Sequence, residues 1–303
     1  MSLTAAHSRL AKTISGSVCR NESMAKHTSF RIGGPADLFI VCDTTADVAG
    51  ALTVLAEELV PYTVAGKGTN LLVSDKGYRG AVLTLGRQFK KHVRDADRIE
   101  VGGACILAYA VQDAYAQGLG GLEFAVGIPG TVGGALAMNA GAREQWIGTV
   151  TESVTMFVPG GGLQRLRGDE IGWGYRTSGL REKGIILESV LRLTPEDPIR
   201  IRAAMEASLA RRRRSQPMGE PSAGSVFVNP ENDSAGRLIE AAGLKGMRLG
   251  GARISDVHAN FIVNDGGATA ADVLGLVGKI QMVVKDTYGI DLQPEIRFVG
   301  ELG

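Results

Sequence analysis

Cysteine, net charge and long apolar runs are all scarce in this chain, and each scarcity removes a class of protein. Among 303 residues there are three cysteines, Cys19, Cys42 and Cys105. They are odd in number, far apart and without metal-ligand spacing, so no disulfide framework and no metal site is read, and a reducing compartment is expected. His27, His92 and His258 offer no triad or metal spacing either. No run of about 18 apolar residues occurs, and the N-terminus has no apolar core before a cleavage-like site. A soluble cytoplasmic protein with no membrane association is therefore expected. With 33 Lys and Arg against 32 Asp and Glu the net charge is +1, so no overall field would recruit nucleic acid or an anionic membrane.

Glycine is what the chain has in abundance, 42 residues, about twice the usual share. The glycines follow no fixed period and point to tight turns and a bound cofactor. The 44% hydrophobic content supplies a sizeable core, and the length suits two domains or one large one. Glycine is densest from Gly118 to Ala142, GLGGLEFAVGIPGTVGGALAMNAGA. Pro129 sits where a first helical turn could begin. Gly130, Gly133 and Gly134 let a backbone or a ligand approach closely. Free N–H groups at such a turn and helix start would attract an anion such as a diphosphate. A tightly packed turn with no ligand remains the alternative.

In chain order, residues 1–27 read as a short helix and an arm. Ala36 to Val41 reads as a strand, Thr45 to Glu58 as a helix with Val48, Leu52 and Leu55 on one face, and Tyr62 to Ala65 as a strand, together a βαβ unit. Gly66 and Gly68 then begin a dinucleotide-type fingerprint. Leu71 occupies the third glycine position, and a strand follows where a helix is needed, so a nicotinamide-type Rossmann site is rejected. A phosphate-cradling loop stays open. Ala81 to Leu85, Arg98 to Val101, Val150 to Val158, Leu163 to Leu166 and Ile185 to Leu193 read as strands. Ala104 to Gln117 reads as a helix stopped by Gly118. A helix opening at Pro198 ends in Arg211 to Arg214, either a solvated helix end or a diphosphate clamp. Thr269 and Asp272 resemble a capping box for a helix with Val273, Val277, Ile280 and Val284 on one face, ended by Gly289. Leu292 to Val299, with Glu295 inside it, reads as the last strand.

Several stretches, in order, resemble one family, the UDP-N-acetylenolpyruvoylglucosamine reductases (UDP-N-acetylmuramate dehydrogenases). They are HTSFRIGGPADLF, GKGTNLLVSD, GLEFAVGIPGTVGGALAMNAGA, GYRTSGL, AGSVFVNP, AGLKGMRLGGARIS, HANFIVN and LQPEIRFVG. Each is weak alone, and the ordered set is specific. The short chain between Arg176 and Ser225 resembles the subtype without an extra tyrosine-bearing loop. One departure is Val228, where the family pattern usually has lysine. The resemblance implies an α+β fold. A two-lobed FAD-binding domain of the vanillyl-alcohol-oxidase type would span residues 28–196, after an arm of residues 1–27. A smaller α+β substrate-binding domain would span residues 197–303, its last strand returning to the flavin site.

The resemblance also implies an oxidoreductase of peptidoglycan precursor synthesis. NADPH would reduce a noncovalent FAD, and the reduced flavin would pass a hydride to UDP-N-acetylglucosamine enolpyruvate. Ser225 matches the proton donor to the resulting enolate. Arg176 matches the residue that polarises the substrate carboxylate, for which a planar guanidinium is suited. Glu295 matches a catalytic glutamate. FAD contacts are expected from Gly66, Lys67, Gly68, Thr69 and Asn70, then from Gly127, Ile128, Pro129, Gly130, Thr131, Gly133 and Gly134. Thr69 lies where some relatives of this flavin fold carry an FAD-linked histidine. Substrate contacts are expected from Arg212, Arg213, Arg214 and Asn229, and the protein is expected to be a monomer. Two other readings are a flavin oxidase of the same fold and a noncatalytic nucleotide-sugar-binding protein. The motifs around Arg176, Ser225 and Glu295 argue against the oxidase.

Overall fold

The computed structural model describes residues 2–142 and 145–301. Its contacts divide the chain into two compact units, each assembled from three separate segments. The first comprises Met1–Arg20, Leu38–Lys67 and Gly80–Ala210, and the second Asn21–Asp37, Gly68–Arg79 and Arg211–Gly303.

In the first unit, the helix Leu3–Thr13 buries Ala6 and Leu10, so this part of the N-terminal segment packs into a core. The helix Thr45–Glu57 forms as its sequence predicts. Thr44 and Asp47 make a reciprocal capping box, and Val48, Leu52 and Leu55 are buried. A four-stranded sheet runs in the order Ser17–Ser23, Pro35–Cys42, Tyr78–Leu85, Tyr62–Val64. The two strands expected to form a βαβ unit are thus separated by Tyr78–Leu85, which pairs in parallel with Tyr62–Val64. A second sheet is antiparallel, in the order Gly162–Arg167, Thr151–Val158, Ile185–Arg192, Arg98–Gly102, His92–Asp95. The helix Leu107–Ala116, three residues shorter at its start than its pattern suggested, packs on Ile99, Val101 and Val154 in one core cluster. Gly118 follows it at φ 66°, the left-handed position a helix stop favours.

In the second unit, an antiparallel sheet runs Ser222–Ser225, Phe261–Asn264, Ala252–Ile254, Arg248–Leu249. The helix Ala270–Tyr288 covers it with Val273, Leu276, Val277, Ile280 and Val284. The expected capping box of Thr269 and Asp272 is present, and Gly289 ends the helix at φ 71°. The last strand is shorter than expected. Only Arg297–Val299 pairs, in parallel with Leu71–Val73, so Glu295 lies just before the strand and not within it. Pro294, its neighbour, has no N–H to contribute to a ladder.

Candidate active site

The glycine-rich segments approach each other within the first unit. A Cβ on Gly66 would sit 2.6 Å from Thr131 Oγ1, so only glycine fits there without displacing that hydroxyl. The helix after Pro129 starts later than its sequence suggested, at Val132, with Thr131 as N-cap. Its first-turn amides are already used. Val132 N donates to Cys105 O at 2.9 Å, Gly133 N to Gly103 O at 2.9 Å, and Gly134 N to Thr131 Oγ1 at 3.2 Å. Ala135 N donates to Thr131 O at 2.9 Å. The expectation of free donors is therefore corrected for the helix start: the amides of Gly133 and Gly134 are taken, and Gly133 allows close packing, since an added Cβ would lie 2.9 Å from Gly103 O. The donors lie one turn earlier. The amides of Gly127, Gly130 and Thr131 donate to no described residue, and Gly127 and Gly130 have φ 77° and 124°. Such a run of unpaired N–H groups in a loop is a concave anion acceptor.

Arg176 is also in the first unit, at the third position of a tight turn. Gly174 N donates to Thr177 O at 2.9 Å and Thr177 N to Gly174 O at 3.3 Å. Its φ is 60°, where most residues with a Cβ are strained. Its Nη1 donates to Gly141 O at 3.1 Å, and its guanidinium lies 5.3 Å from the Tyr175 ring centre. Asn139, 4% exposed, anchors the turn. Its Nδ2 donates to Gly174 O at 2.9 Å, and its Oδ1 accepts from Gly148 N at 3.1 Å.

Ser225 and Glu295 are both in the second unit, and one strip of backbone holds them. Ser225 ends its strand opposite Phe261, after a register shift that includes Gly224 at φ 79°. Such a bulge re-aims the side chain that follows it. The half-buried Ser225 makes no side-chain hydrogen bond to a described residue. The adjacent Val226 O accepts from Glu295 N at 2.7 Å. Asn70 joins the same group, for its Nδ2 donates to Glu295 O at 3.1 Å and its O accepts from Arg297 N at 2.9 Å. A residue expected at the flavin and a residue expected in catalysis are thus directly bonded, although 225 positions apart. Gly68 has a structural duty here. At φ 61° its added Cβ would lie 2.1 Å from His27 O, and its O accepts from Ser29 N at 3.2 Å.

The other expected contacts are more dispersed. Lys67 is exposed. Asn229 is exposed too, and its Oδ1 accepts from Ala235 N at 3.0 Å, at the start of the helix Ala235–Ala241. Arg212, Arg213 and Arg214 form the last turn of the helix Pro198–Ser215, where Arg213 and Arg214 are exposed. Cys105 lies 4.0 Å from His92 Nδ1, but burial pushes its thiol pKa up, the opposite of an activated nucleophile. Among the described residues, no group of three His, Cys, Asp or Glu could hold a metal ion.

Sequence reasoning missed Asn139 and Asn260. Each stands in an otherwise apolar stretch of a quoted motif, AMNAGA and HANFIVN. A buried amide must be hydrogen-bonded, so the signal was there, but the partners were not.

An FAD binding domain family matches residues 36–167. The glycine-rich segments with their unpaired loop amides lie within that span, and the chain is an oxidoreductase of the FAD-binding flavoprotein class. A second family, the UDP-N-acetylenolpyruvoylglucosamine reductase C-terminal domain, matches residues 216–299. The reductase of that name from Heliobacterium modesticaldum is 46% identical over 97% of this chain and 95% of its own length. The one from Geobacter metallireducens is 45% identical over 97% and 98%. The crystal structure of UDP-N-acetylenolpyruvylglucosamine reductase from Thermus caldophilus has a TM-score of 0.80 and 36% identity, covering 94% of this chain and 98% of that one. The chain belongs to the UDP-N-acetylenolpyruvoylglucosamine reductase family, flavoproteins of peptidoglycan precursor synthesis. The resemblance and the α+β fold class read from the sequence are borne out.

Proposed function

We propose that the chain reduces UDP-N-acetylglucosamine enolpyruvate to UDP-N-acetylmuramate with NADPH as the reductant. Residues 28–196 would serve FAD and residues 197–303 the substrate. The amides of Gly127, Gly130 and Thr131 suit a diphosphate, and Gly66 keeps side-chain bulk away from Thr131. When bound, FAD supplies the redox chemistry that a protein side chain lacks.

Reduction adds a hydride to the methylene carbon of the enolpyruvyl double bond and a proton to the carbon bearing the carboxylate. Ser225 donates that proton from its unpaired hydroxyl. A serine is a weak acid, but an enolate is a strong base and needs only a positioned donor. Arg176 stabilises charge on the substrate carboxylate through its planar guanidinium. Glu295 assists at the same carboxylate, where a proton, water or cation must lie between like charges. Arg212, Arg213, Arg214 and Asn229 are assigned to substrate binding.

The observation that carries this reading is the strip joining Ser225 to Glu295 through Val226 O, with the Ser225 hydroxyl left unpaired. The two half-reactions test it. In stopped flow, Ser225→Ala should be reduced by NADPH at a near-normal rate. Reoxidation by the enolpyruvyl substrate should slow by roughly 10²- to 10⁴-fold, the scale of a lost general acid. Ser225→Cys should restore part of the rate. If the alanine variant slows reduction and spares reoxidation, the serine belongs to the NADPH step and the assignment is wrong.

A further inference from the structure

We propose that Asn260 is a positioning residue that holds Ser225 and Glu295 in register with each other. The proposal rests on Ser225 being the proton donor. Asn260 is 3% exposed and precedes the strand Phe261–Asn264. Its side chain completes a ladder. Oδ1 accepts from Phe227 N at 2.9 Å, and Nδ2 donates to Phe227 O at 2.8 Å. Its main-chain O accepts from Val226 N at 2.8 Å. Regular pairing reaches only Ser225, opposite Phe261. The Asn260 amide carries it two residues further.

The far edge of that strip holds Glu295. Val226 O accepts from Glu295 N at 2.7 Å, Val228 N donates to Gln293 O at 2.9 Å, and Phe227 bridges to Pro294. Val226 and Phe227 are each 1% exposed, so neither can turn to water for a partner. Ser225 is the residue before the strip, and Glu295 N is bonded to the strip's first carbonyl, Val226 O. A loosened strip therefore moves the proton donor and the glutamate independently. A planar side-chain amide presents side by side the donor and the acceptor that Phe227 requires, whereas an ionised aspartate cannot donate and an alkyl group can do neither. Asn260 N donates to His258 Nδ1 at 3.1 Å, which anchors the amide from its own chain.

The test uses full-length Asn260→Asp and Asn260→Gln, with Ser225→Ala measured beside them. Asp keeps the size and loses the donor, whereas Gln keeps both functions and shifts the strip by a methylene. FAD content and flavin reduction by NADPH should stay within about twofold of the parent, while reoxidation by UDP-N-acetylglucosamine enolpyruvate slows at least about 10-fold, because a misplacement near 1 Å costs up to about 10²-fold. In the Ser225→Ala background, Asn260→Asp should slow reoxidation by less than it does alone, since part of what it positions is gone. Normal reoxidation in both Asn260 variants would overturn the proposal. So would loss of FAD, or an equal fall in both half-reactions, in both variants, because either would mean a purely structural role. A Ser225→Ala enzyme that reoxidises normally would instead remove the proton-donor reading itself, and the positioning role with it.

Discussion

Arg176 keeps its backbone at φ 60°, a conformation that costs a residue with a Cβ about 1 kcal/mol or more relative to glycine. Arg176→Gly would remove that cost and lose the bond to Gly141 O, itself worth about 1 kcal/mol. The two effects offset, so the variant's stability in urea should lie within about 1 kcal/mol of the parent. Turnover should fall about 10²-fold or more, as when a charge-stabilising donor is removed. Full turnover would take Arg176 off the substrate, and a loss of several kcal/mol would make its role structural. The residue types of Arg176, Ser225 and Glu295 were legible in their motifs. The left-handed turn under Arg176 was not, because arginine and not glycine or asparagine occupies its left-handed position; the asparagine that matters, Asn139, is 37 positions earlier in the sequence.

Among the elements, the helix Thr45–Glu57 shows local chemistry at its most readable. Asp47 caps it and accepts from Asp43 N at 2.8 Å, Thr44 N at 3.1 Å and Ser15 N at 2.9 Å. Burial pushes the Asp47 carboxyl pKa up, but these hydrogen bonds outweigh it and hold it below the ordinary value. A lowered folded-state pKa adds stability above the unfolded value, about 3.9, and that contribution fades as pH falls through the folded value. Asp47→Asn should therefore cost about 1–2 kcal/mol at pH 7. The gap to the parent should narrow as the pH drops below about 4, measured by urea unfolding at each pH. A gap independent of pH would mean that the carboxylate charge contributes nothing. The helix Val132–Ala137 shows the opposite case. Its start looked like an anion site, but Cys105 and Gly103, distant in sequence, had already taken its amides.

At the scale of the whole molecule, the chain builds its second unit from residues 21–37, 68–79 and 211–303. The two short segments are integral to it. Phe30 and Leu72 are fully buried in its core. Asp75 accepts from Ala270 N at 2.8 Å and Ala271 N at 3.1 Å, at the start of the long helix. Leu71–Val73 is the partner of the last strand. Burying Phe30 and Leu72 alone contributes about 3–6 kcal/mol, comparable to the net stability of a small domain. A fragment of residues 211–303 should accordingly show no cooperative thermal transition by circular dichroism. A sharp transition with native helix content would make the two segments dispensable.

The sequence by itself determined what depends on neighbours within a few residues. Helix periods, the capping boxes at Thr44 and Thr269, the glycine stops at Gly118 and Gly289, and the family motifs belong here, because turn geometry and side-chain spacing act over one or two turns. Only the tertiary structure decided which amides remain unpaired, that Glu295 falls before the last strand, that Val226 and Asn260 tie the backbone after Ser225 to Glu295, and that Asn70 holds Glu295 from its other side. Those outcomes depend on hydrogen bonds between residues tens to hundreds of positions apart, and a buried polar group's partner is set by the packed fold, not by its neighbours in sequence.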